Sequence, residues 1–188
     1  MDKIEIIAQG VGILGMIANF LSFQQKEQKR VVAFQFFSAL LFGINYLMLG
    51  AYMGALLNII GVIRALVFVN REKLKAEHPA WLVFFIISFV ATYPLVFTVF
   101  NKEPTPKNLI VELLPVIAMI LATVSYRFKR AKDIRRFGKF SSPMWLIYNI
   151  FCFSIGAILS EILNLISIII GIIRFDLNKG QNSDDANA

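Results

Sequence analysis

Apolar residues fill long, nearly unbroken runs in this chain, and polar residues gather in the short segments between them. Seven runs stand out, at 4–21, 31–49, 52–69, 80–100, 109–126, 144–158 and 159–175. A helix rises about 1.5 Å per residue, so most of these runs can cross a hydrocarbon core of about 30 Å. The last two are short and would extend further or thin the bilayer locally. Lipid offers no hydrogen bonds, so each span must satisfy its backbone internally, which selects the α-helix. A membrane barrel needs strict alternation of lipid-facing and lumen-facing residues, and the continuous runs lack it. The predicted fold class is all-α: a polytopic membrane protein with seven transmembrane helices.

The runs also fall into two similar halves. Gln9 lies over Glu112, and Ser22–Phe23 over Ser125–Tyr126. Asn45–Tyr46 and Tyr148–Asn149 occupy the second span of each half, and Gly-Val-Ile-Arg at 61–64 matches Gly-Ile-Ile-Arg at 171–174. The register slips before that last match, which predicts a longer final hairpin in the second half. Each half has an odd number of spans, so the run at 80–100 is needed to return the second half to the orientation of the first. The predicted organisation is 3+1+3. A first three-helix bundle spans 1–70, a linker helix with its loops 71–108, a second bundle 109–177, and a disordered polar tail 178–188. Parallel repeats are related by an axis along the membrane normal, and in transporters their interface holds the substrate path near the midplane.

Composition and charge sharpen this picture. The chain is 57% hydrophobic and only 16% charged, against about 25% charged in a soluble domain, so lipid is its solvent. The net charge of +7 would suit nucleic acid, but the basic residues sit in short loops between spans, where they act as topology signals. Lys3, Lys102 and Lys107 fall on one side of a seven-span layout; the other side takes fifteen of the nineteen Lys and Arg residues, Arg174 included. The bias predicts an outer N-terminus and a cytoplasmic C-terminus. The segment 127–139 holds seven basic residues, which would also attract anionic lipid headgroups. Cys152 is the single cysteine and His78 the single histidine, so neither a disulfide nor a Cys or His metal cluster is expected. His78 reads as a solvated loop residue. No nucleophile elbow, zincin helix or phosphate loop is present, so no catalytic residues, metal site or cofactor are expected.

A series of short motifs carries a family resemblance. Ala8 to Gly12 reads A-Q-G-V-G and precedes a basic loop; Asn45 to Gly50 reads N-x-x-x-L-G; Glu112 to Ile117 reads E-L-L-P-V-I. Ser154 to Gly156, Glu161 and Ile172 to Phe175 follow. In this order they resemble the YgjV-type bacterial inner membrane proteins, over nearly the whole chain except the tail. The resemblance implies a multi-pass protein of the bacterial inner membrane. The 3+1+3 layout is similar to the wider SWEET and PQ-loop group and to the related PnuC-type proteins, which move vitamin precursors. The chain departs from that group where its Pro-Gln pairs would stand: Gln24–Gln25 in the first half and Arg127–Phe128 in the second.

Polar side chains at lipid depth are costly and mark bundle interiors or water paths. Asn58 and Asn164, in the third span of each half, are candidates for substrate contact; asparagines in these helices contact substrate in the SWEET-like group. The competing reading is an interhelical hydrogen bond, worth roughly 0.6–2 kcal/mol. Asn45 and Asn149 are expected to make the same structural bond twice, and Tyr46 and Tyr148 to pack beside a path. Glu112 and Glu161 are possible proton-coupling carboxylates, each with the alternative of a carboxylate stabilised by a helix N-terminus. Arg64 and Arg174 are expected to snorkel towards headgroups. Gly12, Gly15, Gly43, Gly61, Gly156 and Gly171 would allow close helix approach. Pro94 and Pro115 are possible hinges.

The expected function is a facilitator of a small polar metabolite, working by alternating access between two bundles and lined by Asn58, Asn164, Asn45 and Asn149. The alternative is a non-transporting scaffold or sensor whose basic loops bind lipid or a partner. Neither involves nucleic acid.

Overall fold

The computed structural model describes residues 2–23, 28–70, 72–125 and 131–173. Gln24–Gln25, Arg127–Phe128, Arg174 and the tail 178–188 lie outside the described residues. Among the described residues seven helices carry the fold: α1 (Lys3–Phe23), α2 (Gln28–Met48), α3 (Tyr52–Val69), α4 (Pro79–Thr98), α5 (Pro106–Ser125), α6 (Ala131–Phe151) and α7 (Ile155–Gly171). No strand occurs among the described residues. α1, α3, α4 and α5 are each long and apolar enough to cross a membrane, and 33–48 and 155–170 are shorter apolar helices. The outward surface is dense in large aliphatics such as Ile6, Leu14, Ile87, Ile110 and Ile169, as a lipid-facing surface requires.

Local chemistry sets several helix starts. Asp2 and Glu5 exchange hydrogen bonds between side chain and backbone, a capping box at the start of α1. His78 is not simply solvated: its Nδ1 accepts from the Ala80 N–H and caps α4, with Pro79 at the first helical position. Thr105 Oγ1 accepts from the Asn108 N–H ahead of Pro106 and does the same for α5.

The sixth and seventh spans differ from expectation. The chain turns at Cys152–Ser154, not near 158, and α6 begins at Ala131, inside the basic segment that reads as a loop. The final hairpin is therefore not longer than its counterpart. Leu49, Gly50 and Ala51 donate to the carbonyls of Asn45, Leu47 and Tyr46; Cys152, Phe153 and Ser154 donate to those of Tyr148, Ile150 and Asn149. Each bond recurs 103 residues on, and so does the left-handed residue, Gly50 at φ 68 and Phe153 at φ 57. The same offset carries Gln9 to Glu112 and Ser22 to Ser125. It pairs Asn58 with Glu161, not Asn164, and Gly61 with Asn164.

α2 packs between α1 and α3, and α6 between α5 and α7. α1 meets α7, α3 meets α5, and α4 packs on α3 and α5. α4 uses one stripe for this, with Phe85, Phe89, Thr92 and Val96 buried and Trp81 stacked on Phe85. α1 and α7 touch backbone to backbone: a Cβ on Gly156 would overlap the Gly12 carbonyl and lie 2.6 Å from the Ile13 nitrogen. Gly12 and Gly15 face side chains instead, Asn45 and Phe42.

Candidate functional site

The start of α1, the α2–α3 turn, the α4–α5 loop and the α6–α7 turn share one end of the helices. There α1–α3 meet α5–α7 through polar side chains. Tyr46 Oη donates to Asn149 Oδ1 (2.6 Å). Ser154 Oγ donates to Asn45 Oδ1 (2.6 Å), while Asn45 Nδ2 donates to the Ala8 carbonyl (2.7 Å). All five of these residues are buried. Asn45 and Asn149 thus do not make one bond twice. The 103-residue offset places Asn45 with Tyr148 and Tyr46 with Asn149, so each half contributes one amide and one phenol in exchanged order.

Two helix N-termini depend on this seam. The first amides of a helix lack intrahelical acceptors and need partners from elsewhere. Neither Ala51 nor Ser154 supplies a side-chain cap to its own helix. Instead the Gly54 N–H of α3 donates to Tyr148 Oη of α6 (2.8 Å), and that hydroxyl faces the Ala51 carbonyl at 3.4 Å. The Ile155 N–H of α7 donates to Gln9 Oε1 of α1 (2.9 Å), and Gln9 Nε2 donates to the Phe153 carbonyl (2.7 Å). Tyr148 of α6 thus caps α3, and Gln9 of α1 caps α7. Trp145 stacks on Tyr46 beside this network (6.2 Å between centroids) and meets Tyr148 edge-on (5.8 Å).

At the position corresponding to Gln9, Glu112 Oε1 pairs with Lys102 of the α4–α5 loop. Among the described residues its Oε2 is buried without a hydrogen-bond partner. Farther along the helices, Glu161 is hydrogen-bonded to Ser142 of α6 and lies 3.5 Å from Asn164 Nδ2. Asn19 Nδ2 donates to Ser160 Oγ across α1 and α7 (2.8 Å). Asn58 Nδ2 donates to the Gly54 carbonyl one turn back on α3 (2.8 Å). Asn58, Glu161 and Asn164 are each half-buried. Arg64 does not reach simply for headgroups: its Nη1 donates to Thr123 Oγ1 across α3 and α5 (2.7 Å). Pro94 lies in α4 with its side exposed, and Pro115 is buried in α5 at the position corresponding to Gly12. No group of three or more His, Cys, Asp or Glu side chains suited to a metal occurs among the described residues.

Over residues 6–179 the chain matches Imp-YgjV, described as a bacterial inner membrane protein family. It belongs to the YgjV family. It is 27% identical over 169 residues to inner membrane protein YgjV of Escherichia coli (strain K12), covering 90% of this chain and 84% of that protein. No solved structure matches. As a YgjV-family member the chain is an integral, multi-pass protein of the bacterial inner membrane.

The structure of this YgjV-family chain brings four of the candidates, Asn45, Tyr46, Tyr148 and Asn149, into one seam. It leaves Asn58 and Asn164 on separate helices, each bonded locally. Ser154 and Gln9 had no place among the candidates, although both sit in motifs quoted for the family resemblance. Their signal was positional: Ser154 lies 103 residues after Ala51, at the start of a third span, where helix amides need acceptors.

Proposed function

We propose that this protein is a facilitator of a small polar metabolite, and that α1–α3 and α5–α7 part and close around it as duplicated halves related along the membrane normal. The observation that carries this reading is the exchange of caps. Parting the halves would free the Gly54 and Ile155 amides together with Tyr46, Asn45, Asn149, Tyr148 and Gln9. In lipid such groups cannot be left unpaired. The parted state therefore has to admit water or a polar solute, which is what a transport path does. An interface built only as a scaffold has no need to cap the helices of one side with side chains of the other.

On this reading Asn58, Asn164 and Glu161 line the path beyond the seam, and Pro115 loosens α5. α4 is the linker that restores orientation, the N-terminus is outside, and the basic loops are cytoplasmic and rest on anionic lipid. No enzymatic step or cofactor is involved.

The test is a thermal-shift screen of the purified protein in detergent against sugars, amino acids, nucleosides and vitamin precursors. A ligand at ten times its Kd should stabilise by about 1.4 kcal/mol. The expected result is a hit that is lost in both Asn58→Ala and Asn164→Ala. A hit that survives both places binding elsewhere. Silence across the panel moves the weight to a scaffold or sensor that acts through its basic loops.

A further inference from the structure

We infer that Glu112 is a proton-binding switch that trades Lys102 for the α2–α3 turn. Three observations converge on it. Glu112 is 1% exposed, yet among the described residues only one of its two oxygens has a partner. That partner, Lys102, comes from a loop and is 34% exposed, so water reaches the pair from this end. Gln9, at the corresponding position 103 residues earlier, shows what a neutral side chain does there. It donates to the Phe153 carbonyl and accepts from the Ile155 N–H, clasping the α6–α7 turn.

The same offset makes the Gly50 carbonyl and the Tyr52 N–H the counterparts of those groups. Glu112 lies within electrostatic reach of Tyr148, whose hydroxyl is already bonded to Gly54 and faces Ala51 on that turn. An ionised carboxylate can only accept, so it cannot reproduce the Gln9 clasp. A protonated one has one O–H donor and one free acceptor, as the clasp requires. Protonation also removes the charge that holds Lys102. Acid thus favours the clasped, Gln9-like pose and base the Lys102 pair.

The titratable groups that interact with Glu112 are Lys102 from the loop and Tyr148 and Cys152 from α6 and its turn; on α4, Tyr93 bonds the Leu109 carbonyl, three residues before Glu112 in the sequence. Proton binding here requires no cargo, so the inference goes beyond the transport reading and can fail independently of it.

Infrared difference spectroscopy of the purified protein over a pH series reads the protonation directly. The expected result is a carboxylic-acid C=O band that grows as pH falls, is absent in Glu112→Gln and persists in Glu161→Gln. In Lys102→Gln its midpoint should move to higher pH, by at least about tenfold in proton affinity, because the neighbouring cation is gone. Hydrogen exchange over residues 50–54 should slow in Glu112→Gln relative to the unsubstituted protein at neutral pH. A wild-type spectrum with no band assignable to Glu112, a midpoint unmoved by Lys102→Gln, or unchanged exchange in a folded Glu112→Gln would each overturn the switch. Glu112 would then be a static ion-pair partner.

Discussion

Gly50 and Phe153 occupy the same place in two turns of identical hydrogen-bond pattern, at φ 68 and φ 57. The left-handed region costs a residue with a Cβ roughly 1–2 kcal/mol, and glycine almost nothing. Nothing lies within 4 Å of a Cβ built on Gly50, so a substitution there meets conformational cost without steric clash. Gly50→Ala should therefore lower stability by about 1 kcal/mol. Phe153→Gly should raise it by a smaller amount, since the exposed ring gives up some lipid contact. Reversible unfolding in mixed micelles measures both, and a loss of stability in both variants would show that the turns are not conformationally equivalent. Of the candidate residues, the amides and phenols of the second spans were legible in the sequence because polar groups at lipid depth stand out against apolar neighbours. Their partners were not legible. Pairing of Tyr46 with Asn149 and of Asn45 with Ser154 depends on which face of α2 meets which face of α6 and α7, and uniformly apolar flanks carry no such phase.

Seven helices followed from hydropathy because lipid leaves the backbone no alternative. The two displaced boundaries of the sixth and seventh spans have physical causes. The α2–α3 turn is punctuated by Gly50, but the α6–α7 turn runs Cys152-Phe153-Ser154, with neither glycine nor proline inside an apolar stretch. The early start of α6 was hidden for the opposite reason: charged residues read as a loop, although helices continue past the hydrocarbon boundary when their side chains can be hydrated. The match of 61–64 with 171–174 reinforced the error by suggesting an insertion that the turn geometry does not contain. At this scale the α1–α7 crossing makes the sharpest prediction. A Cβ on Gly156 would overlap the backbone carbon and oxygen of Gly12, neither of which can rotate away. Gly156→Ala must push α1 and α7 apart, straining the Gln9 and Asn45 bonds beside them. The expected loss is about 1–3 kcal/mol. Gly61→Ala, whose Cβ would meet only the flexible Met119 methyl at 3.5 Å, should be close to neutral. The same unfolding measurement, run on both, decides whether the crossing is as tight as its geometry implies.

For the whole molecule, the proposed function makes the seam the element that sets how often α1–α3 part from α5–α7. A hydrogen bond between membrane helices contributes roughly 0.6–2 kcal/mol. Tyr46→Phe removes the bond to Asn149 and keeps the ring that stacks on Trp145, so the loss falls on the seam and not on the aromatic packing. If parting is a two-state opening, that loss raises the population of the parted state by about threefold to thirtyfold. The opening can be read with a thiol placed beyond the seam. Cys152→Ser leaves the chain without cysteine, and Asn58→Cys then puts one thiol on α3 one turn past Gly54. A membrane-impermeant maleimide, applied from the side of the N-terminus, should label this thiol slowly. Tyr46→Phe should speed labelling by the same factor by which it populates the parted state, while a thiol introduced instead at the lipid-facing Ile59 should be indifferent to it. A labelling rate at position 58 that does not change, in a protein shown to have lost the Tyr46 bond, would mean that the seam holds the helices together without gating a path.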